Sequence, residues 1–225
     1  MTQNILIRIF SVMTNLLHID SSIQGAHSHS RPVSAAFAES WRTANPDGGY
    51  TYRDFAVDPV GHVTGLYMTA ANVPADERTP EMRAEYDKVK PLRDELLAAD
   101  VILLGVPMYN FTIPSTIKTW FDHVLVPELR ADPETGRGPL NGKKVFVVTA
   151  RGGSYGPGTP KESWDHQEPL LRLYFNGLGL DEDLTFVHTE MTLAYVVEHL
   201  KQFQHIADTS KENAYKAVQE LAAMA

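Results

Sequence analysis

The sequence predicts one α/β domain in which helices cover both faces of a parallel β-sheet. Its 225 residues, 43% hydrophobic and 21% charged, suffice for one sizeable core and are too few for two. Short apolar runs alternate with segments of helical periodicity, and this alternation is typical of βαβ units. We expect residues 13–225 to form the domain and residues 1–12, which precede a second methionine, to be an N-terminal appendage outside it.

Five apolar runs are the predicted strands. In chain order they are Leu16–Ile19, Tyr50–Phe55, Val101–Val106, Val145–Thr149 and Leu184–Val187. Apolar residues at helical spacing predict three amphipathic helices. Their stripes are Val33, Phe37 and Trp41; then Ile117, Trp120, Phe121 and Val124; and finally Ala214, Ala217, Val218 and Leu221.

A further helical segment begins at Pro80 and is interrupted by Pro91, which predicts a kink or two consecutive helices there. Two stretches rich in Gly, Pro and polar residues, Asp58–Thr79 and Pro127–Gly142, are expected to be irregular. Long loops in a compact domain are often functional.

Composition and charge exclude several classes of function. The net charge is −8 with acidic and basic residues mixed, so we expect no nucleic-acid partner and no anionic membrane partner. The chain has no cysteine, which excludes disulfides and thiolate chemistry. The first dozen residues resemble neither a signal peptide nor a membrane span, which predicts a soluble cytoplasmic protein.

A loop of hydroxyl side chains follows the first predicted strand. Ser21 and Ser22 come directly after Asp20, and the segment Ser28–Arg31 precedes the first amphipathic helix. Free N–H groups at a helix start attract phosphate, and serine hydroxyls with Arg31 can complete its hydrogen bonding. Serines also serve as simple helix caps, so this loop alone is equally consistent with capping.

Two more loops follow the third and fourth predicted strands. Met108–Phe111 offers apolar surface and an amide, which suit the flat ring and polar edge of a flavin. In the segment Ala150–Gly153, the glycines allow close approach of the backbone to a ligand. Ligands of open parallel sheets bind beyond the carboxyl ends of the strands, where all three loops are expected to lie.

From about Asn15 onward, with Met108–Phe111 as its most specific segment, the chain resembles the FMN-dependent NADH:quinone oxidoreductases called azoreductases. The resemblance implies a flavodoxin-like, doubly wound, five-stranded sheet in the order 2-1-3-4-5. It implies reduction of quinones or azo compounds by NADH or NADPH in a two-electron, ping-pong cycle through bound FMN, and a homodimer. The cofactor-binding residues implied are Ser22, Ser28, His29, Ser30, Met108, Tyr109, Asn110, Phe111, Ala150, Arg151, Gly152 and Gly153. No side chain is assigned as an acid or base.

Two segments depart from the family pattern. Ala150 stands where the family has serine, and the Leu129–Ala131 segment stands where it commonly has an aromatic element that walls the substrate pocket. Tyr174 and Phe175 are candidates for an aromatic wall from a partner subunit, although core positions are the favoured interpretation.

Other interpretations remain for comparison. Ser154 lies in a Gly-x-Ser-x-Gly pattern followed by Asp183 and His188, the chain order of an α/β-hydrolase triad. The pattern is unfavourable for a hydrolase because a helix expected to begin at Pro160 starts too late for a nucleophile elbow. A flavodoxin-like electron carrier is the non-enzymatic alternative. Neither a phosphate-binding P-loop at Lys143 nor a histidine metal site is supported.

Overall fold

The computed structural model describes residues 14–225, so the predicted appendage at residues 1–12 lies outside the described residues. Five parallel strands form one sheet in the order β2-β1-β3-β4-β5, which confirms the predicted fold. The strands are β1 (Asn15–Asp20), β2 (Gly49–Asp54), β3 (Val101–Pro107), β4 (Lys144–Ala150) and β5 (Leu184–Thr189).

Seven α-helices accompany the sheet in the described part of the chain. They are α1 (Ser30–Ala44), α2 (Gly65–Asn72), α3 (Pro80–Asp87), α4 (Lys90–Ala98), α5 (Ser115–Val124), α6 (Glu168–Gly177) and α7 (Gln204–Met224). Buried side chains of α1 and α7 share one core layer, and those of α2 to α6 share the other. Helices therefore cover both faces of the sheet, as predicted.

The central strand β3 shows why the chain forms this sheet. All seven of its residues are buried. Val101 and Leu103 pack in the layer of α1, whereas Ile102, Leu104 and Val106 pack in the opposite layer. Successive strand side chains point to opposite faces, so a continuous apolar run supplies two cores at once.

The stretch Asp58–Thr79, predicted to be irregular, contains helix α2, so that prediction is wrong in part. The hydroxyl of Thr64 accepts the N–H of Tyr67 and caps the helix, while the Tyr67 hydroxyl donates to the carbonyl of His123 at 2.8 Å. The buried stripe consists of Tyr67 and two alanines, too little apolar volume for a clear periodic signal.

Three other predictions concern helix ends and loops. The interruption near Pro91 separates α3 from α4, as the proline pattern indicated, although α4 begins one residue earlier at Lys90. Pro127–Gly142 contains neither helix nor strand, as predicted. The expected helix start at Pro160 is wrong, because only a 3-10 turn follows it at Glu162–Trp164 and α6 begins at Glu168.

The described chain has no helix both long and apolar enough to cross a membrane.

Candidate functional site

Hydrogen bonds join the three predicted ligand-binding loops at the carboxyl edge of the sheet. The Tyr109 hydroxyl accepts the N–H of Ile23 at 3.2 Å and lies 3.4 Å from the Ser22 hydroxyl. The N–H of Met108 donates to the carbonyl of Ala150 at 2.8 Å. Because β1 and β3 are neighbours in the sheet but not in the chain, these loops open at the topological switch point.

The N-terminus of α1 combines serine hydroxyls with a first turn that has no acidic residue. His29 precedes the helix without a side-chain cap, and the first turn contains no acidic residue. The hydroxyls of Ser28 and Ser30, which are 7% and 0% exposed, lie 3.3 Å apart. The Ser28 hydroxyl also accepts the N–H of Arg31 at 3.2 Å. Hydroxyl donors beside the positive end of a helix of 15 residues are the chemistry a phosphate requires.

Arg31 does not complete this phosphate site, contrary to the sequence interpretation. Its two terminal nitrogens form a bidentate pair with Asp54 at 2.6 and 2.5 Å. Its remaining donors bond to the carbonyl of Ser22 and to the hydroxyl of Tyr52. A guanidinium has five N–H groups, and these contacts use all five. Arg31 therefore positions the loop, and its pKa is raised chiefly by the hydrogen bonds to Asp54.

The buried carboxylate of Asp20 lies at the end of β1, directly before the loop of serine hydroxyls. Asp20, 3% exposed, accepts hydrogen bonds from the hydroxyls of Ser34 at 2.9 Å and Tyr52 at 3.0 Å. Burial, and secondarily Asp20, raise the pKa of Tyr52. A side chain at Gly105 would place its Cβ 2.0 Å from the Asp20 carboxylate. The sequence alone did not predict this close approach of Gly105 to Asp20.

The loop after β3 has an unusual backbone. Asn110 and Phe111 both have positive φ, at 48° and 71°. The turn is closed by two hydrogen bonds between Tyr109 and Thr112, at 2.9 and 3.1 Å. Positive φ is unfavourable for non-glycine residues, and such strain concentrates at functional sites. Both side chains are exposed as a result.

The loop after β4 is shaped mainly by internal packing. A Cβ at Gly152 would lie 2.7 Å from Leu193 Cδ1, so glycine lets the turn Thr192–Tyr195 pack closely here. The N–H of Leu193 donates to the carbonyl of Gly152 at 3.3 Å. At Gly153 the nearest atom to an added Cβ is the flexible end of Lys161, at 3.2 Å. Packing within the protein therefore restricts Gly152 more than Gly153.

Arg151 faces the interior of the protein rather than the open edge. Its side chain is 1% exposed and bonds to Gln167 at 3.1 Å, with the carboxylates of Asp165 and Glu168 at 3.1 and 3.4 Å. A hydrogen bond from His188, at 3.0 Å, is the main reason that the pKa of Glu168 is lowered to about 2. Any contact of Arg151 with a ligand is therefore restricted to its backbone.

The Leu129–Ala131 segment lies near the amino ends of the strands, whereas the candidate site lies at their carboxyl ends. The N–H of Ala131 donates to the carbonyl of Gly177, the last residue of α6, which leads into the amino end of β5. Leu129 is 2% exposed and belongs to the core. Within one chain this segment cannot line the candidate site. Phe175 is fully buried, as the favoured interpretation predicted, and Tyr174 is half-buried against the same core.

The hydrolase interpretation is not favoured by the structure. No regular α-helix begins between Ser154 and α6, although a nucleophile elbow needs one directly after the serine. His188 instead pairs with Glu168 and with the hydroxyl of Thr149 at 2.7 Å. In the described part of the chain, no cluster of three or more His, Asp or Glu residues could hold a metal ion.

Fold and site together define a flavodoxin-like protein with a loop of serine hydroxyls at its switch point. Residues 14–216 match the family described as "Flavodoxin-like fold", and the chain belongs to that family.

Curated relatives cover nearly the whole chain. A protein of Parafrankia sp. (strain EAN1pec) is 44% identical over 94% of this chain and 100% of its own length, and one of Frankia casuarinae is 44% identical over 91% and 97%. Both are named FMN-dependent NADH:quinone oxidoreductase. The resemblance predicted from the sequence is confirmed.

Solved structures share the fold. An azoreductase from Bacillus anthracis str. Sterne aligns with a TM-score of 0.80 at 19% identity, covering 95% of this chain and 100% of its own. An FMN-dependent NADH-azoreductase from Bacillus anthracis str. Ames Ancestor, solved in complex with FMN, gives 0.77 at 24% identity over 94% and 99%.

Proposed function

We propose that this protein is an FMN-dependent reductase of quinones and azo compounds that uses NADH or NADPH. The observation that carries the proposal is the start of α1, which has no acidic residue in its first turn and is flanked by buried serine hydroxyls, at the switch point of a flavodoxin-like sheet. The names of the curated relatives support the same activity. Their names specify NADH, which makes it the first co-substrate to test.

The hydrogen-bond donors at the carboxyl ends of the strands suit FMN. Ser22, Ser28, His29, Ser30 and the first N–H groups of α1 would hold the phosphate. The segments Met108–Phe111 and Ala150–Gly153 would hold the ring, the latter through its backbone. When bound, FMN supplies the two-electron redox chemistry that no side chain of this chain provides.

The protein's own contribution is positioning. Arg31 is held by Asp54 and donates to the carbonyl of Ser22, and the strained turn at Asn110 leaves its amide side chain exposed. Preorganised groups of this kind stabilise charge without reorganising during the reaction. No residue at the edge is placed as a general acid or base.

We further propose that residues 13–225 act as a single domain, that the protein is a cytoplasmic homodimer, and that it binds neither nucleic acid nor membrane. The dimer proposal rests on the resemblance to the azoreductases, and an open cavity of about 1040 Å³ beside Arg130, Ala131 and Tyr174 is a surface that a second copy would cover. A second copy contacting this surface would place Tyr174 near a subunit interface.

Steady-state oxidation of NADH tests the function. The FMN-loaded protein is expected to oxidise NADH when a quinone is added, with parallel initial-rate plots at several quinone concentrations. An electron carrier, the non-enzymatic alternative, would show no oxidation of NADH without a separate reductase. That result would contradict the proposal.

A further inference from the structure

Two large aromatic side chains contact each other at the rim of the candidate site. Phe111 and Trp164 are 42% and 51% exposed. Their ring centroids lie 5.5 Å apart at an angle of 88°, an edge-to-face arrangement. Most large aromatic side chains are buried on folding, so an exposed pair beside a ligand-binding loop indicates a surface kept for binding.

The backbone fixes this pair in place. The N–H of His166 donates to the carbonyl of Phe111 at 3.0 Å, and the Thr112 hydroxyl donates to the carbonyl of His166 at 3.2 Å. Trp164 ends a 3-10 turn, and its backbone N–H donates to the carbonyl of Lys161 at 2.9 Å. Two loops distant in sequence are thus bonded together where the aromatic rings meet.

The strained turn determines which way Phe111 points. Its φ of 71° turns the side chain outward, toward Trp164, instead of into the core. Backbone strain of this kind costs free energy and persists where it serves a function. Burial of the Phe111 side chain does not offset this cost, because the side chain is exposed.

We propose that Trp164 and Phe111 form an aromatic wall that binds the outer ring of extended planar acceptors such as azo dyes. The proposal rests on the proposed function and names a substrate class for the same site. Edge-to-face and offset contacts between aromatic rings favour a ligand with more than one ring. A single-ring quinone held over the ring-binding segment would gain less from a wall at the rim.

The charges nearby are compatible with this ligand. Asp165 pairs with Arg151 at 3.1 Å, and the Glu162 carboxylate accepts the N–H of Gly158 at 2.8 Å. These two carboxylates are therefore engaged within the protein. The ammonium group of Lys161 lies 5.8 Å from the ring centroid of Tyr155.

The test compares acceptors of different size in Trp164→Ala, Trp164→Phe and, as a matched control, Met224→Ala. Met224 is also exposed and apolar but lies at the end of α7, where its carbonyl contacts Lys144 at the amino end of β4. We expect kcat/KM for a two-ring azo dye, divided by that for p-benzoquinone, to fall about three- to tenfold in Trp164→Ala. Trp164→Phe is expected to retain the quotient within about twofold, and Met224→Ala to leave it unchanged.

Binding of the dye gives a readout that does not depend on turnover. Equilibrium dialysis of the dye against protein incubated with FMN is expected to show a Kd about three- to tenfold higher for Trp164→Ala. The proposed wall would be refuted if Trp164→Ala changed neither the Kd for the dye nor the ratio of dye to quinone kcat/KM. It would also be refuted if Met224→Ala lowered that ratio as much as Trp164→Ala does. A changed Kd without any oxidation of NADH by the wild type would overturn the proposed function alone.

Discussion

The Asp54→Asn variant tests whether the Arg31–Asp54 pair organises the loop of the candidate site. The pair is bidentate at 2.6 and 2.5 Å, and its side chains are only 17% and 19% exposed. Charge-assisted hydrogen bonds of this geometry are stronger than neutral ones. We expect the free energy of unfolding to fall by about 2 kcal/mol. For a chain of this size, that lowers Tm by roughly 4–8 °C.

Asp58→Asn is the matched control for this prediction. Asp58 pairs with Arg53 at 3.6 Å, but its side chain is 82% exposed. Exposed ion pairs contribute about 0–1 kcal/mol, so this variant should unfold in urea almost as the wild type does. Equal destabilisation by the two substitutions would refute the reasoning.

The dependence on pH gives a second check. The hydrogen bonds from Arg31 lower the pKa of Asp54 in the folded protein. A lowered carboxylate pKa stabilises the fold above the unfolded-state value and loses that effect as pH falls through the folded value. The stability difference between wild type and Asp54→Asn should therefore be full at pH 7 and shrink below about pH 4. A difference independent of pH would show that the charge is not responsible.

Three further predictions concern the site and its surroundings. Ser28→Ala combined with Ser30→Ala should reduce the ratio of FMN affinity to riboflavin affinity by about tenfold or more. Fluorescence titration measures both ligands, and equal weakening of the two by the serine variant would mean that the loop does not bind phosphate. Leu129→Ala should lower the free energy of unfolding by about 2–5 kcal/mol because Leu129 is 2% exposed in the core, and a loss below about 1 kcal/mol in urea would contradict that placement. Glu168→Gln should destabilise the protein at pH 7 by on the order of 1 kcal/mol after allowance for solvent screening. The difference from wild type should disappear as pH falls from about 4.5 toward 2, because the lowered pKa of Glu168 stabilises the fold only while the carboxylate is charged. Unfolding followed by circular dichroism across that range measures the difference, and a constant difference would contradict this reasoning.

The sequence predicted the sheet well because its strands are buried on both faces. Runs such as Val101–Val106 remain apolar throughout, and their alternation with helical periodicity identifies βαβ units. Helix α2 was missed because its buried stripe is small and its start depends on a single hydroxyl, that of Thr64. Local patterns of this kind carry little signal.

The candidate site was predicted as a set of loops but not as a set of contacts. Arg31 was interpreted as a phosphate ligand because it adjoins Ser30, yet its partner Asp54 lies at the end of strand β2. Trp164 gave no signal, since its contact with Phe111 depends on how two loops are bonded. Periodicity reports which residues are buried, whereas such pairings depend on the tertiary fold.

The most direct test of the central claim is the identity of the chromophore that the purified protein carries. After saturation with flavin and removal of the excess, heat denaturation should release FMN, in about one equivalent per chain for the single site proposed. Riboflavin offered in competition should be largely excluded, because the start of α1 is arranged for a phosphate. A colourless protein that cannot be reconstituted with FMN, or one that retains riboflavin equally well, would contradict the account.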